Sequence, residues 1–211
     1  SNPGSRLFSA GGIAEDAMGG ICSGISTMGH QIGVGSSYGA FIAPLNTICA
    51  KTHGIGQQTL KHRAPDEPNR TFVVVCGHTG VKTGEDGPTH QPVEHLAALR
   101  AIPNLNLFRP ADMVETAECW QIALTRKQTP SILALSRQGL DQLRLGDDVM
   151  PLKSDKGGYV LTDASREAQI VLMASGSEVQ IADAARAKLE EIGHPTRLVS
   201  VPCLNILAQQ S

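Results

Sequence analysis

The stretch GEDGPTHQPVEH, residues 84 to 95, gathers an adjacent acidic pair, two glycines, two prolines and two histidines, and His78 stands shortly before it. Histidine moves protons near neutral pH, and aspartate accepts hydrogen bonds from sugar-like hydroxyls. Gly84, Gly87, Pro88 and Pro92 stiffen a loop that carries His78, Glu85, Asp86, His90 and His95. A stiff loop with titratable groups can hold catalytic geometry. Residue types alone leave a second reading open, a turn whose Asp and His cap the helix that follows. Nothing in the spacing imposes one metal-ligand geometry, so no metal ligands are assigned.

The elements around this loop alternate. TFVVVCG (71–77) reads as a short strand, apolar throughout and therefore covered on both faces, which puts His78 just past its carboxyl end. PVEHLAALRAI (92–102) has helical spacing with proline at its start, LNLF (105–108) reads as a strand, and PADMVETAECWQIALTR (110–126) as a helix with Pro110 and Asp112 as start signals. SILALS (131–136) is the next strand. Upstream, residues 13–29 space Ile13, Ala17, Met18, Ile21, Cys22 and Ile25 along one helical face, and the glycines there suggest close packing against another backbone. Residues 38–53 read as a second helix. The pattern predicts an α/β fold, a parallel sheet with helices on both faces, whose ligands bind beyond the carboxyl ends of the strands.

After Arg137 the polar segment QGLDQLRLGDDVMPLKSDKGG reads as an interdomain connection. AQIVLMASG (168–176), SEVQIADAARAKLEEIG (177–193) and TRLVSVP (196–202) then form one βαβ unit, the helix closed by glycine. Two strands cannot cover their own faces, so this second domain is expected to be partial. The expected division is 1–150 and 151–211.

Composition narrows the function. At 211 residues and 41% hydrophobic the chain can bury a substantial core, while a net charge of −2 with only 3% aromatics argues against a nucleic-acid surface. No apolar run is long enough to span a membrane, and no leader is apparent, so a cytoplasmic location and a small-molecule ligand are expected. Cys22, Cys49, Cys76, Cys119 and Cys203 lie far apart with no CxxC pair, which disfavours zinc and disulfides and favours buried thiols in a reducing compartment.

GHTGVKTGEDGPTHQPVEHLAALRAIPNL, with FRPAD, TPSILALSRQ, KGGYVLTD and ASGSEV in order, resembles the pyrimidine-binding domain and the early carboxyl-terminal domain of the transketolase family. The resemblance runs from about Gly12 to Pro202 and leaves the first eleven residues without counterpart. It implies a thiamine-diphosphate-binding fold of the pyrimidine type followed by a partial α/β carboxyl-terminal domain. It also implies transfer of a two-carbon ketol unit between sugar phosphates, with the cofactor between the two subunits of a homodimer and a divalent cation, Mg2+ or Ca2+, on the diphosphate.

Residue by residue, the resemblance puts Glu15 of GIAEDAMGGICSGI at the glutamate that hydrogen-bonds the aminopyrimidine and activates the cofactor. Tyr38 and Phe41 of GSSYGAFIAPL fall on aromatic positions around that ring, where stacking explains the residue type. His78 and Asp86 match binders of sugar hydroxyls. His90 matches a histidine that hydrogen-bonds a substrate oxygen, and Arg137 of LSRQ an arginine for the substrate phosphate, where a guanidinium binds in bidentate fashion. Ala14, Asp16, Pro44 and Thr79 depart from the family pattern. The chain holds no GDG followed by Asn at the family's diphosphate and metal spacing, so a separate diphosphate-binding domain or subunit is expected. Deoxyxylulose phosphate synthase, a 2-oxo acid dehydrogenase subunit and a non-catalytic binding homologue are the alternatives.

Overall fold

An apolar run such as 71–77 needs cover on both faces, and its surroundings supply it. The computed structural model describes residues 12–27, 31–49, 71–126 and 128–210. Within them, β1 (Val34–Tyr38), β2 (Val73–Gly77), β3 (Asn106–Phe108) and β4 (Ser131–Ala134) form an all-parallel sheet in the order β1-β2-β4-β3. Successive residues of a strand point to opposite faces, so each face has its own core. Val74 and Cys76 meet Cys22 of α1 (Glu15–Thr27), Leu45 and Cys49 of α2 (helical over 45–49) and Leu99 of α3 (His95–Arg100). Val73, with Phe108 and Leu133, faces Cys119, Ile122 and Ala123 of α4 (Met113–Thr125) on the other side.

The structure corrects the expected face of α1. The helix buries Gly19, Cys22 and Ser26, while Ile13 and Ile21 are 90% and 60% exposed. Proximity decides this: a Cβ on Gly19 would come within 2.4 Å of Leu45 Cδ2, and one on Gly33 within 2.3 Å of the Cys22 carbonyl oxygen. The smallest side chains allow the closest approach, and the larger isoleucines are left outside. The helix expected at 38–53 is also corrected. Tyr38 ends β1, Gly39–Phe41 is a 3-10 turn and helix begins only at 45, with residues 50–53 outside the described part. β1, VGSSY, was not expected because glycine and serine are poor strand formers; parallel pairing with β2 along its whole length makes it a strand.

Beyond the connection stand β5 (Tyr159–Thr162), β6 (Ile170–Ala174), α5 (Glu178–Glu191), β7 (Thr196–Ser200) and α6 (Leu204–Leu207). β6, α5 and β7 are the expected βαβ unit, and Gly193 closes the helix at a φ of 88°. β5 adds an antiparallel strand on β7, so the second sheet has three strands, β5-β7-β6, rather than the expected two. α6 returns to the first unit, where Ile206 joins the core of Phe108 and Cys119.

The connection itself is fastened by three acids of α4 and its cap. Asp112 caps the helix through Glu115 N (2.8 Å) and also accepts from Gln142 Nε2, Leu143 N and Arg144 N. Glu115 accepts from Ala111 N, Tyr159 Oη and Ser200 Oγ. Glu118 accepts from Arg144 Nη1 (2.7 Å), Lys153 N, Ser154 N and Ser154 Oγ. Buried polar groups need such partners. The apparent linker is thus pinned to α4 through its buried anchors, Arg144 and Ser154.

Candidate active site

The residues that the resemblance singled out gather at the carboxyl edge of the parallel sheet. α1 runs antiparallel to β1, as the close approaches of Met18 to Gly35 and Cys22 to Gly33 require, so its first residue, Glu15, reaches the strand's far end. There Ser37 Oγ donates to Glu15 Oε1 at 2.8 Å. Tyr38 closes the strand, and the 3-10 turn after it brings Phe41 alongside, the two rings 9° from parallel with centroids 6.2 Å apart. Tyr38 is 42% and Phe41 38% exposed, so both keep ring surface open to a ligand.

β2 delivers the histidines. The His78 ring lies 4.0 Å from that of Tyr38, and its Nδ1 stands 3.6 Å from Asp86 Oδ2. That Nδ1 is buried and makes no hydrogen bond, so Asp86 stands beside the ring without clamping it. Asp86 belongs to the 3-10 turn Gly84–Asp86 and His90 to the next one, Pro88–His90. His90 meets Phe41 edge-on at 5.3 Å, with Nδ1 2.9 Å from Thr89 Oγ1, which leaves Nε2 for a ligand. From the end of β4, Arg137 extends its Nε to 4.0 Å from Asp86 Oδ2 and lays its guanidinium over Gly84. A Cβ at Gly84 would come within 2.5 Å of Arg137 Nη1, and the φ of 68° also favours glycine.

Glu15, Tyr38, Phe41, His78, Asp86, His90 and Arg137 are therefore linked through successive contacts. His95 is not among them; it starts α3 with Nδ1 3.2 Å from Glu94 Oε1. Sequence reasoning missed Ser37, although strand alternation puts it on the same side as Gly35, where α1 packs. It also missed the closeness of Gly84 to Arg137, which no spacing rule reveals. All five cysteines are free and buried, and burial pushes the Cys49 and Cys76 thiols up to about 12, which excludes those two as nucleophiles. Among the described residues no group of three or more His, Cys, Asp or Glu is placed to hold a metal, and no helix is long and apolar enough to cross a membrane.

Two carboxylates, two open rings, two histidines and an arginine gather at one edge of a parallel sheet, where α/β proteins hold their ligands. The sequence matches the family described as "Transketolase, pyrimidine binding domain" over residues 4–142, and "Transketolase-like TK C-terminal domain" over 157–211. The chain belongs to the transketolase family. These matches reach further than Gly12 and Pro202, the limits legible from motifs. The Rhodobacter capsulatus transketolase is 53% identical over 138 residues, 65% of this chain and 20% of that protein. The Staphylococcus aureus transketolase is 38% identical over 200 residues, 95% of this chain and 28% of that protein. A crystal structure of the Pichia stipitis transketolase with sedoheptulose 7-phosphate superposes with a TM-score of 0.80 at 36% identity, covering 95% of this chain and 27% of that one. This chain thus spans under a third of the length of these relatives.

Proposed function

We propose that this chain is the pyrimidine-binding portion, with the beginning of the carboxyl-terminal domain, of a transketolase that transfers a two-carbon ketol unit from a ketose phosphate to an aldose phosphate. The observation that carries the reading is the unbroken cluster from Glu15 to Arg137 at the sheet edge. The residues suit thiamine diphosphate: Tyr38 and Phe41 offer open ring surface for its pyrimidine, and Glu15, one oxygen held by Ser37, keeps Oε2 to exchange a proton with the ring. When bound, the cofactor supplies a carbanion-stabilising centre beside the ketone carbon. Asp86 accepts from sugar hydroxyls, and His78, beside Asp86, meets a further hydroxyl. His90 hydrogen-bonds the substrate's carbonyl or hydroxyl oxygen through Nε2, and Arg137 neutralises the phosphate. The sugar phosphate in the Pichia stipitis complex supports this substrate class. Diphosphate and its Mg2+ or Ca2+ belong, in this reading, to a diphosphate-binding domain outside this chain. The exposed Ile13, two residues before Glu15, and Ile21 of the same helix fit a homodimer whose second subunit covers the cofactor. A cytoplasmic location completes the reading.

The test joins this chain to a transketolase diphosphate-binding domain and follows ketol transfer between sugar phosphates with thiamine diphosphate and Mg2+. Turnover is expected only when all components are present. Glu15→Gln is expected to lower kcat by about 100-fold or more, the range of a lost proton-transfer group. Turnover by the chain unaided, or a Glu15→Gln enzyme within threefold of the parent, overturns the reading.

A further inference from the structure

His78 has a φ of 54°, a conformation that few residues other than glycine adopt and that costs a side chain free energy. The ladder between β2 and β4 explains how it is imposed. Ser131 N donates to Phe72 O and Leu135 N to Cys76 O, the regular parallel pattern. Continued, that pattern has the Leu135 carbonyl accept from the residue two past Cys76, which is His78. Instead it accepts from Thr79, twice: from its backbone N at 2.9 Å and from its hydroxyl at 3.0 Å. His78 is therefore an extra residue looped out of the pairing, a bulge, and bulges re-aim side chains beside functional sites. Thr79 is only 6% exposed, and its methyl faces Gly39, where a Cβ would stand 2.9 Å from Thr79 Cγ2.

We propose that Thr79 is a positioning residue: by taking the ladder bond that regular pairing gives to His78, and doubling it with its hydroxyl, it holds His78 bulged out with its ring over Tyr38 and toward Asp86. The role given to His78 rests on the function proposed above, while the geometry of the bulge does not. A histidine left in register would follow the strand's alternation instead of turning toward the loop. Thr79 thus converts the last turn of the strand ladder into a mount for a substrate-facing imidazole.

The test uses the full chain without cofactor, and then the chain joined to its diphosphate-binding domain. Thr79→Val keeps the shape and loses the hydroxyl; Thr79→Ser keeps the hydroxyl. Thr79→Val is expected to shift the NMR resonances of the His78 and Tyr38 rings, and to raise KM for the sugar phosphate about fivefold, the factor of one neutral hydrogen bond, with kcat little changed. Thr79→Ser is expected to stay parent-like in both. The melting temperature lost through Thr79→Val is expected to shrink in a His78→Gly background, because glycine takes a positive φ without strain. An equal loss in both backgrounds, or unshifted ring resonances, overturns the proposal and leaves Thr79 a plain packing residue. Should Thr79→Val fail to fold, Thr79→Ser decides: displaced His78 resonances there overturn it. If ketol transfer is absent but the coupling with His78→Gly holds, the function reading alone falls; if transfer holds and the coupling fails, this proposal alone falls.

Discussion

Arg144→Ala is the perturbation whose size the structure fixes best. The Arg144 side chain is 0% exposed and that of Glu118 8%, with Nη1 2.7 Å from Glu118 Oε1. Its other donors go to the carbonyls of Asp148 (3.1 and 2.7 Å) and Pro151 (2.7 Å), and its guanidinium lies 5.4 Å from the Tyr159 ring. Removing one partner of a buried pair costs about 3–5 kcal/mol, because the other charge stays buried. Glu118 would still hold three donors, Lys153 N, Ser154 N and Ser154 Oγ, so the lower end, about 3 kcal/mol, applies. For a chain of this size that is roughly 6–12 °C in melting temperature. A paired replacement, Glu118→Leu with Arg144→Met, should not recover the loss, since two backbone amides would then lose their acceptor. Urea unfolding followed by circular dichroism measures both. A loss below about 1 kcal/mol for Arg144→Ala would refute the reasoning, since it would equate this pair with an exposed one.

Burial holds the Glu115 carboxyl above its ordinary value of 4.5, against hydrogen bonds from Ser200, Tyr159 and Ala111 that pull it down. A carboxyl with a raised folded-state pKa contributes stability that is complete below its unfolded value and is lost as pH rises through the folded one. Parent stability relative to Glu115→Gln should therefore grow as pH falls from 8 toward the ordinary carboxyl value of 4.5, read from urea midpoints at each pH; a constant difference would contradict this. Gly84→Ala puts a Cβ against the Arg137 guanidinium at a positive φ, so it should cost about 1 kcal/mol in unfolding and raise KM for phosphorylated substrates in the joined enzyme. An unchanged KM would separate Arg137 from phosphate binding.

Where a residue's neighbours in sequence decide its structure, the sequence was readable. The run 71–77, the Asp112 cap and the glycine closing α5 were legible because period, cap chemistry and positive φ are local properties. β1 was not, since VGSSY becomes a strand only through a partner distant in sequence. The buried face of α1 was misread because close approach at Gly19 and Gly33 outweighs side-chain hydrophobicity. For the site, motif order carried Glu15, Tyr38, Phe41, His78, Asp86, His90 and Arg137 to one sheet edge. Ser37, Gly84 and Thr79 act through distances of a few ångströms that no spacing encodes. The connection 138–158 read as an interdomain link because its composition is polar, yet Arg144 within it is wholly buried, its charge met by Glu118.

The carboxylates of α4 also bear on how such a chain can be divided. The two family segments, 4–142 and 157–211, meet where Glu115 of the first accepts from Tyr159 and Ser200 of the second, and Glu118 accepts from Ser154 in the stretch between them. Cutting there would strand Glu115 and Glu118 in the first piece without Tyr159, Ser154 and Ser200. The unit tied together by buried hydrogen bonds therefore extends past the 4–142 match, and a gene ending at residue 142 would encode a recognisable domain whose Glu115 and Glu118 lack these donors.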